Sequence, residues 1–377
     1  MQISEEEIIL KKIDDELINI AKKINLQKFL SPVNLEEECD IFVWKNGNYD
    51  PQFVYEFPQE QIISKIIDRL KYIKKEYFDG RKYQNFIAKF LEEKTQEDLN
   101  KAELLKSYIK QDRNEISRRN KILFGEFDEN LLKKSEHIIQ TYKDPDSKVR
   151  WKFLNHEEVL NYVKDYIGRK WINDIEIKVV PFANTRFLIT FSEKKCNLIF
   201  SKNFQTREHE LMANMIHEID VHYTRFANGK KSWWKILTYG TADYIKYEEG
   251  LAIHEVWKYK RNFYPAFEQK WIYEKYLLLN YSNWKSFSQI SEHIKSIKLM
   301  KNDPEFSRTG RAIFNAISRI KQWIQDTGVK KIWNNYIRNK IFLEWFGVVW
   351  KWLEDWGNRE LLLMWKIKPQ DLPYLAW

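Results

Sequence analysis

The sequence predicts an α+β fold that is predominantly α-helical, with one small antiparallel β-sheet. Three observations carry that prediction. Residues 59–143 and 265–377 are rich in charged and long aliphatic residues, the composition of solvated helices packed on a core. Short runs rich in β-formers are confined to residues 175–201. A hydrophobic share of 44% over 377 residues allows a sizeable core, in one large domain or two modest ones. Aromatic residues reach 16%, sixteen of them Trp, so that core is bulky.

Residues 5–25 form an amphipathic helix, with Ile8, Ile9, Ile13, Leu17, Ile20 and Ile24 as its apolar stripe. Leu30–Glu38 and Tyr49–Tyr55 come next as proline-fixed loops whose aromatic residues anchor them on the body of the protein. Residues 59–143 contain no Pro and few Gly, and fit two or three antiparallel helices. Asp144-Pro145-Asp146-Ser147 is a turn and the natural boundary. It separates a mostly helical region, 1–145, from a second region, 146–377, on which the first packs. A helix over 156–168 opens the second region. Ile175–Val180, Arg186–Phe191 and Cys196–Phe200 then alternate with turns, as in a small antiparallel sheet. An exposed edge of such a sheet can pair with an extended peptide.

Residues 206–255 hold the chemistry. Thr206 is the expected N-cap of a helix with Glu208 in its first turn. Leu211, Met215 and Ile219 recur at four-residue spacing as a buried face, and Asn228-Gly229 is the stop. A second helix is expected from about Tyr244–Tyr247 to Tyr259. Glu249 falls in its first turn, and Gly250 permits close approach of another backbone. The first helix carries His217-Glu218-Ile219-Asp220-Val221-His222. A catalytic zinc commonly takes two imidazoles and a carboxylate and keeps one position open. A carboxylate beside the first histidine can then act as general base.

The familiar spacing is H-E-x-x-H; here the histidines are five residues apart. On a regular helix that separates them by about 140°, against about 40° for four. The helix therefore needs a π-bulge near Ile219–Val221, or a loosened turn, for both rings to face one ion. Three other His-Glu pairs, His156-Glu157, His209-Glu210 and His254-Glu255, lack a second histidine four or five residues on. They read as structural or surface groups. Asp220 lies one turn beyond His217 and could accept that ring's other N–H.

Composition excludes several classes. Two cysteines, Cys39 and Cys196, make no disulfide framework and no zinc-finger spacing. A reducing, cytoplasmic location is the simplest expectation. The first seven residues, Met1 to Glu7, carry no apolar signal core. No run approaches the ~20 apolar residues of a membrane span. The net charge of +9 permits an acidic partner. Because Lys and Glu interleave along the helices, solvated faces are the expectation rather than a nucleic-acid surface.

His217-Glu218-Ile219-x-x-His222, Asn228-Gly229, Gly240, Tyr244 and Glu249-Gly250-Leu251-Ala252 together resemble the signature of the microtubule-associated tyrosine carboxypeptidase family and its prokaryotic relatives. Leu30–Glu38 and Tyr49–Tyr55 resemble that family's lead-in, Pro-x-Asn followed by Asn/Asp-Pro-x-Phe-x-Tyr. Arg319-Ile320-Lys321 resembles a further element, with Gln322-Trp323 in place of Arg-Gly. Arg338-Asn339-x-x-Phe342-Leu343 resembles another, with Asn for Asp. The similarity spans roughly residues 27–350. Asp220-Val221 stands where the family usually has Gly-Thr, and Glu248 where it often has Gln.

The resemblance implies a zinc metallopeptidase of carboxypeptidase type. One Zn2+ per chain is held by His217, His222 and Glu249, with Glu218 as general base. The substrate is the tail of a protein or peptide, losing a C-terminal tyrosine or other aromatic residue. Arg319 and Lys321 are candidates for holding the terminal carboxylate, which suits a planar guanidinium. The alternative is a non-catalytic, basic helical binding protein with a structural zinc. Structural zinc generally uses four protein ligands; no fourth is visible, and Glu218 is then unexplained.

Overall fold

The computed structural model describes residues 4–374 except 81–84, 142–150, 182, 184–185, 194, 203, 265–269, 283, 297–309 and 322–340. Helices dominate and two small sheets interrupt them. Asn302-Asp303-Pro304 and Asp326-Thr327-Gly328, whose residue types predict breaks in the helical run 265–377, lie outside the described residues, as do the boundary at Asp144–Ser147, Gln322-Trp323 and Arg338-Asn339.

Helix α1 (Glu5–Lys23) starts at a capping box, in which Ser4 accepts from the Glu7 N–H and Glu7 accepts from the Ser4 N–H. Its stripe buries Leu10, Ile13, Leu17 and Ile20. After α2 (Leu26–Phe29), the lead-in is more ordered than two loops. Leu35–Trp44 is a helix, α3. The two lead-in segments are tied to each other as well as laid on the body. Asn34 donates to Gln52 O at 2.9 Å and accepts from the Val54 N–H at 2.9 Å, while Glu38 accepts from the Gln52 N–H. Phe53 packs edge-on against Phe287 and Phe314.

The described residues of 59–143 form four α-helices rather than two or three, α4 (Glu60–Ile73, continued by a π-helical turn Lys74–Phe78), α5 (Phe86–Ile109), α6 (Arg113–Phe124) and α7 (Glu129–Thr141). Asp112 caps α6 by accepting from the Glu115 N–H, a break that the charged sequence disguised. The region before the boundary, residues 1–145, does not keep a core to itself. Its largest cluster includes Ile236, Leu237 and Ile367; Phe42 and Phe53 pack with Phe287 and Phe314; Leu131 and Leu132 pack against Ile253 and Tyr276.

The sheet is where expectation and structure differ most. Strands β2 (Ile175–Val180), β3 (Leu188–Phe191) and β4 (Cys196–Ser201) run in the order β2-β4-β3. β3 is antiparallel to β4, with Leu188 opposite Ile199, but β2 is parallel to β4, with Ile175 opposite Cys196. The sheet is therefore mixed, not antiparallel. Burial explains the order: Cys196, Leu198 and Phe200 of β4 are fully buried, whereas no residue of β2 is, so the last strand takes the centre. A second sheet pairs β1 (Phe153–Leu154) with β5 (Thr206–Arg207). Thr206 is thus a strand residue rather than the N-cap; Arg207 holds that position. Helix α8 (His156–Arg169) buries Val159 and Val163 beneath this layer.

Candidate metal centre

One continuous helix runs from Glu208 to Gly229 in three parts: α9 (Glu208–Met215), a π-helical segment over Ile216–Tyr223, and α10 (Thr224–Gly229). The π segment is the device the five-residue spacing demanded. Wider turns rotate His222 back beside His217 while Ile219 and Val221 stay buried. Helix α10 ends at Gly229, where a side chain would come within 2.5 Å of Leu237 O, in the short helix α11 (Lys235–Tyr239).

Helix α12 (Tyr244–Arg261) supplies the carboxylate. Glu249 sits in its second turn, one turn deeper than expected, because the helix already starts at Tyr244. The role foreseen for Gly250 is borne out by a close approach: a Cβ there would lie 2.5 Å from Trp345 O, on the Ile341–Trp356 helix. That contact holds α12 between the Ile341–Trp356 helix and the π segment and sets the depth of Glu249.

His217, His222 and Glu249 meet. Each offers one ligand atom, and the three atoms lie within 4.8 Å of one another. His217 Nε2 is 3.4 Å and His222 Nε2 is 3.8 Å from Glu249 Oε2. Donors bonded to a tetrahedral zinc at about 2.0–2.1 Å stand about 3.3 Å apart. Two imidazoles and a carboxylate are a donor set that suits zinc, and the two histidine–glutamate separations are close to that value.

Glu218 projects toward the same space and accepts from the Ile189 N–H of β3 at 3.3 Å. β3 is an edge strand of its sheet. Burial raises the Glu218 carboxyl pKa above the ordinary value, against the pull of His217 and His222. Burial alone would lower the His222 pKa; its hydrogen bond to Glu248 at 2.9 Å reverses this, so it is raised. Burial would raise Glu248 too, but Lys366, His222 and Arg225 hold it well below the carboxylate range.

Glu248 went unrecognised in the sequence as a partner of the site, though its signal was there: an acid directly before Glu249. Asp220 does not take the place suggested for it. Both its oxygens accept from Tyr166 OH at 2.9 Å and it pairs with Lys170 at 2.8 Å, so it joins the π segment to α8. His156 packs against Phe200, His209 against Trp151, and His254 beside Glu255 and Trp257, all in structural settings.

Lys321 is fully buried and donates to Ser282 O at 3.3 Å. Arg319 is half-buried on the Gly310–Ile320 helix and donates to Asn315 O. Burial brings its guanidinium pKa down to about 10, helped by the charge of Arg186. Arg186 bonds Glu210, on the same long helix as His217. Arg319 thus shares an electrostatic neighbourhood with that helix, whereas Lys321 is committed to the interior.

Among the described residues no helix is long and apolar enough to cross a membrane. Residues 40–257, more than half of the chain, match the family model described as microtubule-associated tyrosine carboxypeptidase. No curated protein matches the chain.

Proposed function

The chain belongs to the microtubule-associated tyrosine carboxypeptidase family, and from that premise we propose that it is a zinc-dependent carboxypeptidase acting on the tail of a protein or peptide. The observation that supports this most directly is the convergence of His217, His222 and Glu249 beside Glu218. Zinc bound there supplies a Lewis acid and a water acidic enough to attack near neutral pH.

The chain's own groups do the rest. Glu218 takes a proton from the attacking water and returns it to the leaving amine. Burial raises its pKa above the ordinary carboxylate value, the direction that strengthens a carboxylate as a base. The edge of β3, next to Glu218, offers an extended substrate main chain a place beside the reacting bond. Arg319 is the candidate for the substrate's terminal carboxylate. Tyr223 and Arg225, close to the histidines in the chain, are engaged with Asp174 and with Trp365 O and are not assigned as donors to the substrate's oxyanion. The residue removed is taken to be tyrosine or another aromatic, following the family.

Glu218→Gln tests the reading. The variant is expected to bind one zinc as tightly as wild type while its rate on a free C-terminal peptide falls by about 10²–10⁴-fold. Wild-type rates in the variant would reject the mechanism and leave the alternative, a binding protein with a structural metal.

A further inference from the structure

Behind the metal centre lies a second set of charges that the reaction does not use. Glu248 Oε1 meets two partners at once, His222 Nδ1 at 2.9 Å and Lys366 Nζ at 2.8 Å. Its other oxygen lies 3.4 Å from Arg225 Nη1. Glu248, Arg225 and Lys366 are each 2% exposed or less. Arg225 also donates to Trp365 O at 2.8 Å and to Ile367 O at 2.6 Å. The backbone of Lys366 is held on both sides, its N–H by Leu237 O and its carbonyl by the Thr241 N–H.

We infer that Glu248, Lys366 and Arg225 form a buried ionic brace that orients His222 for the metal, so that the C-terminal segment Trp365–Ile367 is a working part of the centre. The inference rests on the proposal that the centre holds zinc. It concerns positioning residues, not catalytic ones.

An imidazole that ligates through Nε2 must carry its proton on Nδ1 and give it to an acceptor, which fixes both tautomer and ring plane. Glu248 is that acceptor, and the Nε2 it leaves available is the atom turned toward Glu249. A carboxylate this deep requires compensating cations; Lys366 and Arg225 supply them. The family often has glutamine at this position. Its single carbonyl oxygen could still accept from His222, but its amide would leave Lys366 and Arg225 without a counter-charge. Glutamate at 248 and lysine at 366 therefore belong together in this chain. They are 118 residues apart in sequence, and Lys366 lies beyond the 40–257 span that matches the family.

The experiment is a double-mutant cycle read as zinc affinity by chelator competition, on wild type, Glu248→Gln, Lys366→Met and the pair combined. Each single change is expected to weaken zinc binding by about 10–100-fold. The combined variant should bind at least about fivefold more tightly than the product of the two losses allows, because it removes both charges together. Losses that simply multiply, or singles that bind as wild type does, overturn the brace. If Glu248→Gln fails to fold, Lys366→Arg against Lys366→Met decides. Affinity kept by Arg and lost with Met supports the brace; equal affinity in both overturns it. Wild type that takes up no zinc overturns the metal reading and the brace together. Wild type that takes up zinc while the cycle is multiplicative overturns the brace alone.

Discussion

The rings of His217 and His222, five residues apart in the chain, stand with centroids 4.7 Å apart and planes at 77°. A regular helix would turn them about 140° apart. The π-helical turns of Ile216–Tyr223 remove that difference, and Glu249 from the neighbouring helix completes the group. The consequences can be tested at the supports as well as at the ligands.

Gly250 lets α12 touch the backbone of Trp345, the nearest atoms to an added Cβ, with Val349 Cγ2 next at 2.9 Å. Gly250→Ala is expected to lower stability by about 1–3 kcal/mol and to weaken zinc binding, since Glu249 moves with the helix. Thermal melting and zinc titration check this. An unchanged melting temperature would mean that the two helices have room to part.

Asp220 ties the π segment to Tyr166 and Lys170 of the α8 region. Asp220→Ala should leave zinc affinity within about threefold of wild type while lowering stability by about 1 kcal/mol. A tenfold loss of zinc affinity would return Asp220 to a role on His217.

Arg319 is the candidate anchor for a terminal carboxylate. If it has that role, Arg319→Ala raises KM for a free C-terminal peptide by about tenfold or more, and leaves KM for the amidated peptide unchanged. Equal effects on both peptides remove it from the site.

Asp371 lies in the C-terminal segment with its side chain fully buried, accepting from Thr241 Oγ1 and the Lys368 N–H. Burial raises its pKa from 3.8 to about 6, against the pull of Lys368. Between those values the folded chain holds a proton that the unfolded chain has lost. Its contribution is therefore complete below pH 3.8 and lost as pH rises through 6. Relative to Asp371→Asn, wild type should lose up to about 3 kcal/mol across that window. Urea unfolding of both proteins at pH 4 and pH 7 measures it; parallel pH profiles would refute the assignment.

Much of the fold was legible because it follows from local rules. Helix α8 and the three strand runs are set by periodicity and occur close to where their patterns placed them; the stripe of α1 holds for Ile13, Leu17, Ile20 and Ile24, whereas Ile8 and Ile9 are exposed. Strand order was not legible. Period-two patterning says that Cys196–Phe200 is a strand, but its central place follows from its burial, which only the packed helices create. The π segment could be inferred because two ligands at the wrong spacing left few alternatives.

The sequence by itself determined the candidate donor set, the need for a widened helical turn if His217 and His222 are to face each other, and the glycine that admits a neighbouring helix at position 250. Those are consequences of bond geometry and residue size within a few turns of chain. Only the tertiary structure decided which charges stand behind the ligands. Asp220, three residues from His217 in the chain, turns away to Tyr166 on α8. Glu248 instead reaches His222 and is matched by Lys366 from the far end of the chain. The free energy of burying a carboxylate depends on which cations fold against it, and that is a property of the assembled core rather than of any stretch of sequence.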